Sequence, residues 1–228
     1  MADPNRALFE SVVQLLAPVL EELVFVGGCT TGLLITDPAA TGIRPTKDVD
    51  AIVDITSYAK YISLAERLRA LGLAEDTSEG APLCRWRHGH LIVDVLPTDA
   101  TVLGFSNRWY PAAIATATTL RIAGYAVRIV TPALFIATKL EAFHGRGRTD
   151  IVESHDLEDI VAVVDGRPEI VDDVAGAAAD VRAYIASEIR ALLDNRDFTE
   201  ALAGFLLPDV ANQARRGLLQ GRLRALSA

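Results

Sequence analysis

Hydrophobic and polar positions follow a helical period at the start of the chain and then change abruptly. Apolar residues recur at helical spacing over residues 5–22, which predicts a helix that Pro18 kinks or ends early. The fully apolar residues 23–26 predict a buried strand, and Gly27-Gly28 then permits a tight turn. The chain is therefore expected to begin with a helix that leads into a strand and a glycine turn.

A period of two residues replaces the helical period in later segments. Within residues 47–55, Asp48 and Asp50 fall on one face of a predicted strand, and apolar residues fall on the other. Two further pairs of strand-like runs surround short turns: residues 83–86 with 91–96, and residues 117–122 with 125–130. We interpret each pair as a hairpin.

Helical patterns dominate the remainder of the chain. We predict a surface helix over residues 57–72, a helix from Pro132 to about His144, and another over residues 154–164. After residue 170 the pattern is mostly helical, with no further strand signal. The expected fold class is α+β, with a mixed or antiparallel sheet flanked by helices and a mostly helical C-terminal part.

Composition narrows the class of protein. The 228 residues, half of them hydrophobic, suit one domain or a core domain with a helical appendage. A net charge of -8 argues against sequence-independent binding of nucleic acid through overall charge, but leaves room for a local basic surface or a metal site. Cys29 and Cys84 lack metal-ligand spacing and fit reduced thiols. Neither a signal-peptide pattern nor an apolar stretch of about 20 residues occurs, so we expect a cytoplasmic protein that does not contact membranes.

Asp48 and Asp50 are the first candidates for chemistry. Side chains two apart on a strand project from one face roughly 6–7 Å apart, which suits carboxylates that hold one or two Mg²⁺ ions; Asp54 lies too far along the strand. Asp94 lies in the apolar run 91–96, where a carboxylate is costly to bury unless it is paired or binds a metal. On a neighbouring strand it would complete an Mg²⁺ site. The alternative is that these carboxylates are solvated at strand ends or on a wet edge.

A glycine pair precedes these acids. Gly27 and Gly28 supply backbone amides near a predicted helix N-terminus, and such amides can bind phosphate. A glycine pair after a strand, D-x-D on the next strand and a third Asp on a later one resemble the nucleotidyltransferase superfamily related to polymerase beta. The matching residues are Gly27, Gly28, Asp48, Asp50 and Asp94. Where that superfamily usually has Ser after the glycines, this chain has Cys29 followed by Thr30.

Residues 44–50 carry a closer resemblance. Their sequence, Arg-Pro-Thr-Lys-Asp-Val-Asp, is similar to the R-x-T-x-D-x-D motif of the AbiEii/MenT group, the toxin halves of type IV toxin–antitoxin and abortive-infection systems. That group also carries a helical Lys and a downstream D-x-x-D, for which this chain offers Lys139, Asp156 and Asp159. The resemblance spans roughly residues 23–165.

The resemblance implies a fold, an activity, a cofactor and partners. It implies a nucleotidyltransferase core domain over residues 1–130 and a helical C-terminal region over residues 131–228 that completes the active site. It also implies Mg²⁺-dependent transfer of a nucleotide from an NTP to an RNA acceptor such as a tRNA 3′ end, at a two-metal site, and an antitoxin protein as partner. Asp48, Asp50 and Asp94 would bind the metal and act in catalysis together with Lys139, Asp156 and Asp159. The nucleotide would be bound by Gly27, Gly28, Cys29, Thr30, Arg44, Thr46, Lys47 and Lys139.

The residues of the C-terminal region have structural alternatives. Lys139 falls within the apolar stripe of its predicted helix, so its cation either points inward at nucleotide phosphates or reaches solvent from the edge of the stripe. Asp156 and Asp159 share one helix face and either act in catalysis or serve as the acids of a first helical turn. Arg146 and Arg148 either contact phosphates or are solvated in a loop.

Two other functions remain open at this point. One is transfer of a nucleotide to a small hydroxylated molecule such as an aminoglycoside, and the acidic net charge suits a cationic acceptor of that kind. The other is a degenerate nucleotidyltransferase that serves as a binding or antitoxin module. The intact Asp48, Asp50 and Asp94 argue against the second.

Overall fold

The computed structural model describes residues 3–40, 42–146 and 151–228. The chain folds into two compact units. The first, here the sheet unit, consists of Pro4–Thr30 and Pro45–Thr131. The second, here the helical unit, contains Thr31–Arg44 and Pro132–Ala228. The predicted division into a core domain and a C-terminal region at residue 130 stays a prediction.

A mixed sheet of seven strands lies in the described part of the sheet unit. The strands are β1 Leu23–Val26, β2 Val49–Val53, β3 Ala74–Glu75, β4 Arg85–His88, β5 Leu91–Pro97, β6 Thr118–Ile122 and β7 Tyr125–Ile129. Their order across the sheet is β3-β4-β5-β2-β1-β7-β6. β1 is parallel to β7 and β2 is parallel to β5, whereas the other neighbours are antiparallel. The predicted α+β class with a mixed sheet is confirmed.

Helices occupy most of the remaining described residues. The α-helices are α1 Arg6–Leu15, α2 Thr31–Leu34, α3 Tyr58–Ala70, α4 Ala100–Leu103, α5 Tyr110–Ala115, α6 Pro132–Gly145, α7 His155–Gly166, α8 Ile170–Ala175, α9 Ala179–Asp194, α10 Arg196–Ala201, α11 Val210–Ala214 and α12 Arg216–Leu226. Short 3₁₀ helices cover Ala17–Glu22 and Gly28–Thr30. In the ranges that the structure describes, no helix has the length and apolar character needed to cross a bilayer.

Local chemistry explains where several elements begin and end. The helix predicted over residues 5–22 is divided, because α1 ends at Leu15 and Pro18 lies in the first turn of a separate 3₁₀ helix. Ser57 caps α3 and Ser154 caps α7, since each side chain accepts a hydrogen bond from a backbone amide three residues ahead. These caps set the starts of both helices close to the predicted positions.

The position of each turn decides where the strands of a hairpin end and which of their residues pair. Ala123 and Gly124 both have positive φ, of 49° and 88°, which is the backbone of a two-residue turn and joins β6 to β7 as predicted. The other hairpin turns at Gly89-His90, so β4 reaches to His88 and does not end at residue 86 as predicted. This difference changes which residues of β4 and β5 lie opposite each other.

The centre of the sheet is fixed by burial. All four residues of β1 are buried, and the ring of Phe25 meets that of Phe9 in α1 edge to face at 5.0 Å between centroids. A fully buried side chain of this kind contributes about 1.5–3 kcal/mol to folding. Tight packing around β1 therefore holds the glycine turn that follows it in one position.

Candidate active site

Gly27 is required by two independent constraints at the end of β1. Its φ is +74°, in the left-handed region that residues with a Cβ rarely adopt. A Cβ built at this position would also lie 1.9 Å from Oδ2 of Asp50, which is not a permissible contact. The glycine therefore leaves the space in which the Asp50 carboxylate lies against the turn.

The side chains after the glycine pair bind back onto the turn. Gly28, Cys29 and Thr30 form a buried 3₁₀ helix. The Cys29 thiol donates to the carbonyl of Val26 at 3.3 Å, and the Thr30 hydroxyl donates to the carbonyl of Gly27 at 2.9 Å. Both side chains stabilise the shape of the turn, and a contact between them and a nucleotide stays a prediction.

Three charged residues form a row across three adjacent strands. Asp50 of β2 lies opposite Asp94 of β5, and Asp94 lies opposite Arg85 of β4. Residues directly opposite each other in neighbouring strands project from the same face of the sheet. The predicted strand of Asp94 is thus the neighbour of the strand of Asp50, and the register brings the two acids to the same level.

Arg85 joins Asp94 to Asp48. Its Nε and Nη2 donate to the two oxygens of Asp94 at 2.8 and 2.7 Å, and the same Nη2 donates to Oδ2 of Asp48 at 2.7 Å. The Asp94 side chain is 9% exposed, that of Arg85 21% and that of Asp48 30%. Oxygens of two carboxylates therefore converge on one nitrogen at the edge of the accessible surface.

Thr46 positions Asp48 from the other side. The Thr46 hydroxyl donates to Oδ1 of Asp48 at 2.9 Å, and its backbone amide donates to Oδ1 of the buried Asn5 at 2.8 Å. Each oxygen of Asp48 thus has a donor. Thr46 was predicted to contact a nucleotide, and in the structure its hydroxyl orients a carboxylate.

Arg85 is the functional candidate that the sequence analysis missed. A signal was present, because a two-residue turn at Gly89-His90 pairs His88 with Leu91 and, three residues back along the strand, Arg85 with Asp94. Hydrogen bonds from Arg85 to Asp94 raise the pKa of the guanidinium above its usual value, against the opposing effect of burial. Arg85 therefore carries its charge at any pH at which the protein folds.

Cys84 is buried beside the acids of the sheet unit. Burial raises the pKa of its thiol to about 12, and the charges of Asp94 and Asp50 add to the shift. The thiol is neutral at physiological pH and is a poor nucleophile for that reason. Cys84 is therefore a packing residue next to the acids.

The carboxylates suit Mg²⁺ by their chemistry. Mg²⁺ prefers oxygen ligands and is often held by one or two carboxylates, with phosphate oxygens and water in the remaining positions. Oxygens of Asp48 and Asp94 already converge on a cationic atom, which marks a place where positive charge is stabilised. Among the described residues no group of three acids, histidines or cysteines is arranged to hold a metal by itself. The donor set thus fits a metal that arrives with a phosphate ligand.

A second charged cluster lies in the helical unit, on α6, α7 and the segment before β2. Nζ of Lys139 donates to Oδ1 of Asp156 at 3.2 Å and to Oδ2 of Asp159 at 2.6 Å. Nε and Nη2 of Arg44 donate to the two oxygens of Asp159 at 2.9 and 2.8 Å, and Arg146 contacts Asp156. Residues that the sequence separates by over a hundred positions are brought together here.

Burial decides between the structural alternatives for these residues. Lys139 is 8% exposed, so its cation lies inside the helical unit and does not reach out from the edge of the apolar stripe. Asp156 and Asp159 are 3% and 1% exposed, and Ser154 supplies the cap of α7. The two acids are therefore the buried partners of Lys139, Arg44 and Arg146.

Other predicted residues lie apart from both clusters. Lys47 is exposed, and Asp54 accepts a hydrogen bond from the Thr98 hydroxyl at 3.3 Å. Arg148 lies outside the residues that the structure describes. The roles predicted for Lys47 and Arg148 stay predictions.

Comparison with known proteins supports the fold. No protein family and no curated protein matches the chain. Among solved structures, the chain is similar to the crystal structure of an antigenic nucleotidyltransferase-like protein from Paracoccidioides brasiliensis. The TM-score is 0.51 and the sequence identity 20%, over 88% of this chain and 93% of that chain. The predicted nucleotidyltransferase fold is thereby confirmed, while the AbiEii/MenT branch stays a prediction.

Proposed function

We propose that this protein is a Mg²⁺-dependent nucleotidyltransferase that moves a nucleotide from an NTP to a hydroxyl group. The observation that carries the proposal is the convergence of Asp48 and Asp94 on one cationic atom, with Asp50 in register beside Asp94. Two carboxylates in register on the sheet and a third just before β2, in a nucleotidyltransferase-like fold, suit a metal and a triphosphate better than they suit a neutral ligand.

In the proposed reaction, the oxygen of the acceptor hydroxyl forms a bond to the α-phosphorus, and the bond from that phosphorus to the oxygen bridging to the β-phosphate breaks. Pyrophosphate leaves with the bonding electrons. Asp48 and Asp50 would hold one Mg²⁺, and Asp94 would complete a second one with Asp48 and accept the proton of the hydroxyl. When bound, Mg²⁺ supplies positive charge that offsets the charge developing on the transferred phosphoryl group and on pyrophosphate.

The charged cluster in the helical unit is proposed to bind anionic groups of the substrates. Arg44, Lys139 and Arg146 carry three positive charges against the two negative charges of Asp156 and Asp159. Arg44 and Lys139 lie within a buried network and Arg146 at its exposed edge, and cations placed in this way are suited to phosphate oxygens. Gly27 and Gly28 are assigned to phosphate as well, through backbone amides.

RNA is the proposed acceptor, with a tRNA 3′ end as the specific form. The support is the resemblance of residues 44–50 to the AbiEii/MenT motif, in which Arg44, Thr46, Asp48 and Asp50 all match. Two of these residues are linked by a hydrogen bond, since the Thr46 hydroxyl donates to Asp48 and orients its carboxylate. On this proposal the protein is the toxin of a type IV system and is neutralised by an antitoxin protein.

The test is transfer of label from each of the four radiolabelled NTPs to total RNA in the presence of Mg²⁺. We expect Asp50→Ala and Asp94→Ala to lower transfer by about 10²-fold or more, because each removes charge that stabilises the transition state. Asp54→Ala is the matched control, since it removes the same charge just beyond the end of β2. Transfer at the wild-type rate by Asp50→Ala or Asp94→Ala contradicts the proposed site.

The acceptor is tested with the same proteins. Expression of a toxin is expected to arrest growth, and expression of an enzyme that modifies a small cationic antibiotic is expected to confer resistance. The net charge of -8 favours a cationic acceptor and is the reason to include the second assay. Resistance without growth arrest would replace RNA by a small molecule as acceptor.

A binding module without catalysis is the second candidate. The observation in its favour is Arg85, whose guanidinium neutralises Asp48 and Asp94 much as a metal would. A module of this kind would bind neither Mg²⁺ nor an NTP at the acids. Calorimetry with Mg²⁺ and NTP decides between the two candidates, because the proposed enzyme binds them together.

A further inference from the structure

Arg85 lies where the oxygens of two candidate metal ligands meet. Its Nη2 is 2.7 Å from Oδ2 of Asp48 and 2.7 Å from Oδ2 of Asp94, and its Nε is 2.8 Å from Oδ1 of Asp94. Both oxygens of Asp94 are thus bound by one guanidinium. The fork geometry is the strongest form of an ion pair between Arg and a carboxylate.

A divalent cation held by Asp48 and Asp94 needs the same oxygens. Arg85 cannot resolve this conflict by losing its proton, because a guanidinium stays charged throughout the range in which proteins fold. Two cations on the same carboxylate oxygens would repel each other at short range. Metal binding at these two acids therefore requires that the Arg85 side chain leave them.

The surroundings permit that movement. Arg85 is on β4, whereas the acids belong to β2 and β5, so the guanidinium can leave by rotation of its own side chain while the strands stay paired. Its side chain is 21% exposed and that of Asp48 is 30% exposed, which places the contact at an accessible edge. What the movement lacks is a new partner for the guanidinium.

A triphosphate supplies this partner. Phosphate oxygens match the planar fork of Arg as well as a carboxylate does, whereas an Mg²⁺ ion alone offers the guanidinium nothing. From this we infer that Arg85 competes with the divalent cation for Asp48 and Asp94 and, once displaced, binds the phosphates of the incoming nucleotide. This inference rests on the proposed function and adds a rule for how the site fills: metal and nucleotide bind together, and metal alone binds weakly.

The competition is tested by binding, without any turnover. Mn²⁺ alone is titrated into wild type and Arg85→Gln and followed by electron paramagnetic resonance of the free ion. The four α,β-methylene NTP analogues are then titrated separately by calorimetry at saturating Mn²⁺. Arg87→Gln is the matched control, because Arg87 is on the same strand, two residues further on, and pairs with Asp76 instead.

Opposite changes in the two affinities are expected for Arg85→Gln. Loss of the competing cation should tighten binding of Mn²⁺ alone by about 10–100-fold, which corresponds to the hydrogen bonds to charged groups that the metal no longer has to break. Loss of a phosphate ligand should weaken binding of the preferred analogue by about 10-fold. Arg87→Gln should change neither affinity by more than about 2-fold. A purely structural role of Arg85 would weaken both affinities in Arg85→Gln.

The outcomes separate this inference from the function on which it rests. If wild type transfers label and binds Mn²⁺ with an analogue, but Arg85→Gln binds Mn²⁺ alone no more tightly than wild type, the competition is wrong and the enzyme assignment stands. If neither protein binds Mn²⁺ or any analogue, both are wrong. Arg85→Lys keeps the charge and loses the fork, so it serves if Arg85→Gln does not fold. Its affinity for Mn²⁺ alone should exceed that of wild type, and a lower affinity contradicts the inference.

Discussion

The two charged clusters of this protein differ in the number of cations that pair with their carboxylates and in their contact with solvent. In the sheet unit, Asp48 and Asp94 share the single cation Arg85, and the contact lies at an accessible edge. In the helical unit, Asp156 and Asp159 are almost fully buried and are bound by three cations, with Lys139 at their centre. Two carboxylates are thus paired with one cation in the sheet unit and with three in the helical unit.

This difference indicates what each cluster can do. An accessible cluster with excess negative charge can exchange its internal cation for an external one at modest cost, because water screens the groups while they move. A buried cluster cannot release a member without leaving an unpaired charge in a medium of low dielectric constant. The acids of the sheet unit are therefore suited to bind and release ligands, and those of the helical unit to hold cations in place.

The largest expected effect tests this contrast directly. Asp159→Asn leaves Arg44 and Lys139 with a buried neutral partner and should lower the free energy of unfolding by about 3–5 kcal/mol. Asp48→Asn removes the same charge from the accessible cluster, where Asp94 still pairs with Arg85, and should cost about 1 kcal/mol or less. Urea denaturation of both variants measures the difference.

Glu158→Gln is the control for Asp159→Asn. It removes a negative charge from the neighbouring position of α7, where Glu158 is half-buried and faces His155 at 3.5 Å. We expect a change within about 0.5 kcal/mol. Equal destabilisation by Asp159→Asn and Asp48→Asn would show that the two clusters do not differ in the way proposed.

A smaller effect is expected at the glycine turn of the accessible cluster. Both Gly27→Ala and Gly124→Ala put a residue with a side chain into the left-handed backbone region. In Gly27→Ala the new Cβ also collides with Asp50, whereas in Gly124→Ala no atom lies within 4 Å of it. The backbone change costs about 1–2 kcal/mol in both variants. The collision adds about 1–3 kcal/mol in Gly27→Ala alone.

Thermal and urea denaturation of the two glycine variants give the comparison. Gly27→Ala should also lose label transfer, because the Asp50 carboxylate must move, and Gly124→Ala should keep it. Equal stability of the two variants would mean that Asp50 can shift away from the turn without cost.

The last expected effect is a pH dependence that reports the burial of the Cys84 thiol, to which the nearby acids add. Its thiol pKa rises from 9.0 to about 12 on folding. Below pH 9 the thiol is protonated in both states, and between pH 9 and 12 only the unfolded chain releases the proton. The free energy of unfolding should therefore fall with rising pH in this window, by at most about 1.4 kcal/mol per pH unit from this group.

Cys84→Ala isolates this contribution from other groups that titrate at high pH. As the pH rises from 9 towards 11, the unfolding free energy of wild type should fall relative to that of Cys84→Ala, which has no thiol to titrate. Urea denaturation at several pH values measures it. A difference that stays constant with pH would show that the thiol pKa is not raised by burial beside Asp94 and Asp50.

Much of the fold follows from local pattern. The buried run of β1, the alternation of β2, the turn at Ala123-Gly124 and the break at Pro18 each depend on residues close in sequence, and each lies within a few positions of its prediction. The short edge strand β3 had no such signal, because two exposed residues carry no period. Its pairing with β4 is decided by that neighbour.

The candidate site divides in the same way. Asp48 and Asp50 could be found from sequence because they share one face of a strand, and Asp94 because a carboxylate in an apolar strand is costly without a partner. The partner itself could not be identified, since it depends on where the hairpin between β4 and β5 turns. A turn at Gly89-His90 places Arg85 opposite Asp94, whereas the four-residue turn first predicted places Leu83 there.

The sequence by itself determined the fold class, the three carboxylates of the sheet as candidates, the glycine turn after the first strand, and a helical Lys and two helical acids as further candidates. Only the tertiary structure decided which charges meet. The register between β4 and β5 places Arg85 against Asp94 and Asp48. The packing of the helical unit places Arg44 against Asp159 and Arg146 against Asp156, the two acids that also bind Lys139. The reason is physical: secondary structure depends on neighbours along the chain, but the energy of an ion pair depends on distance and burial between residues that only folding brings together.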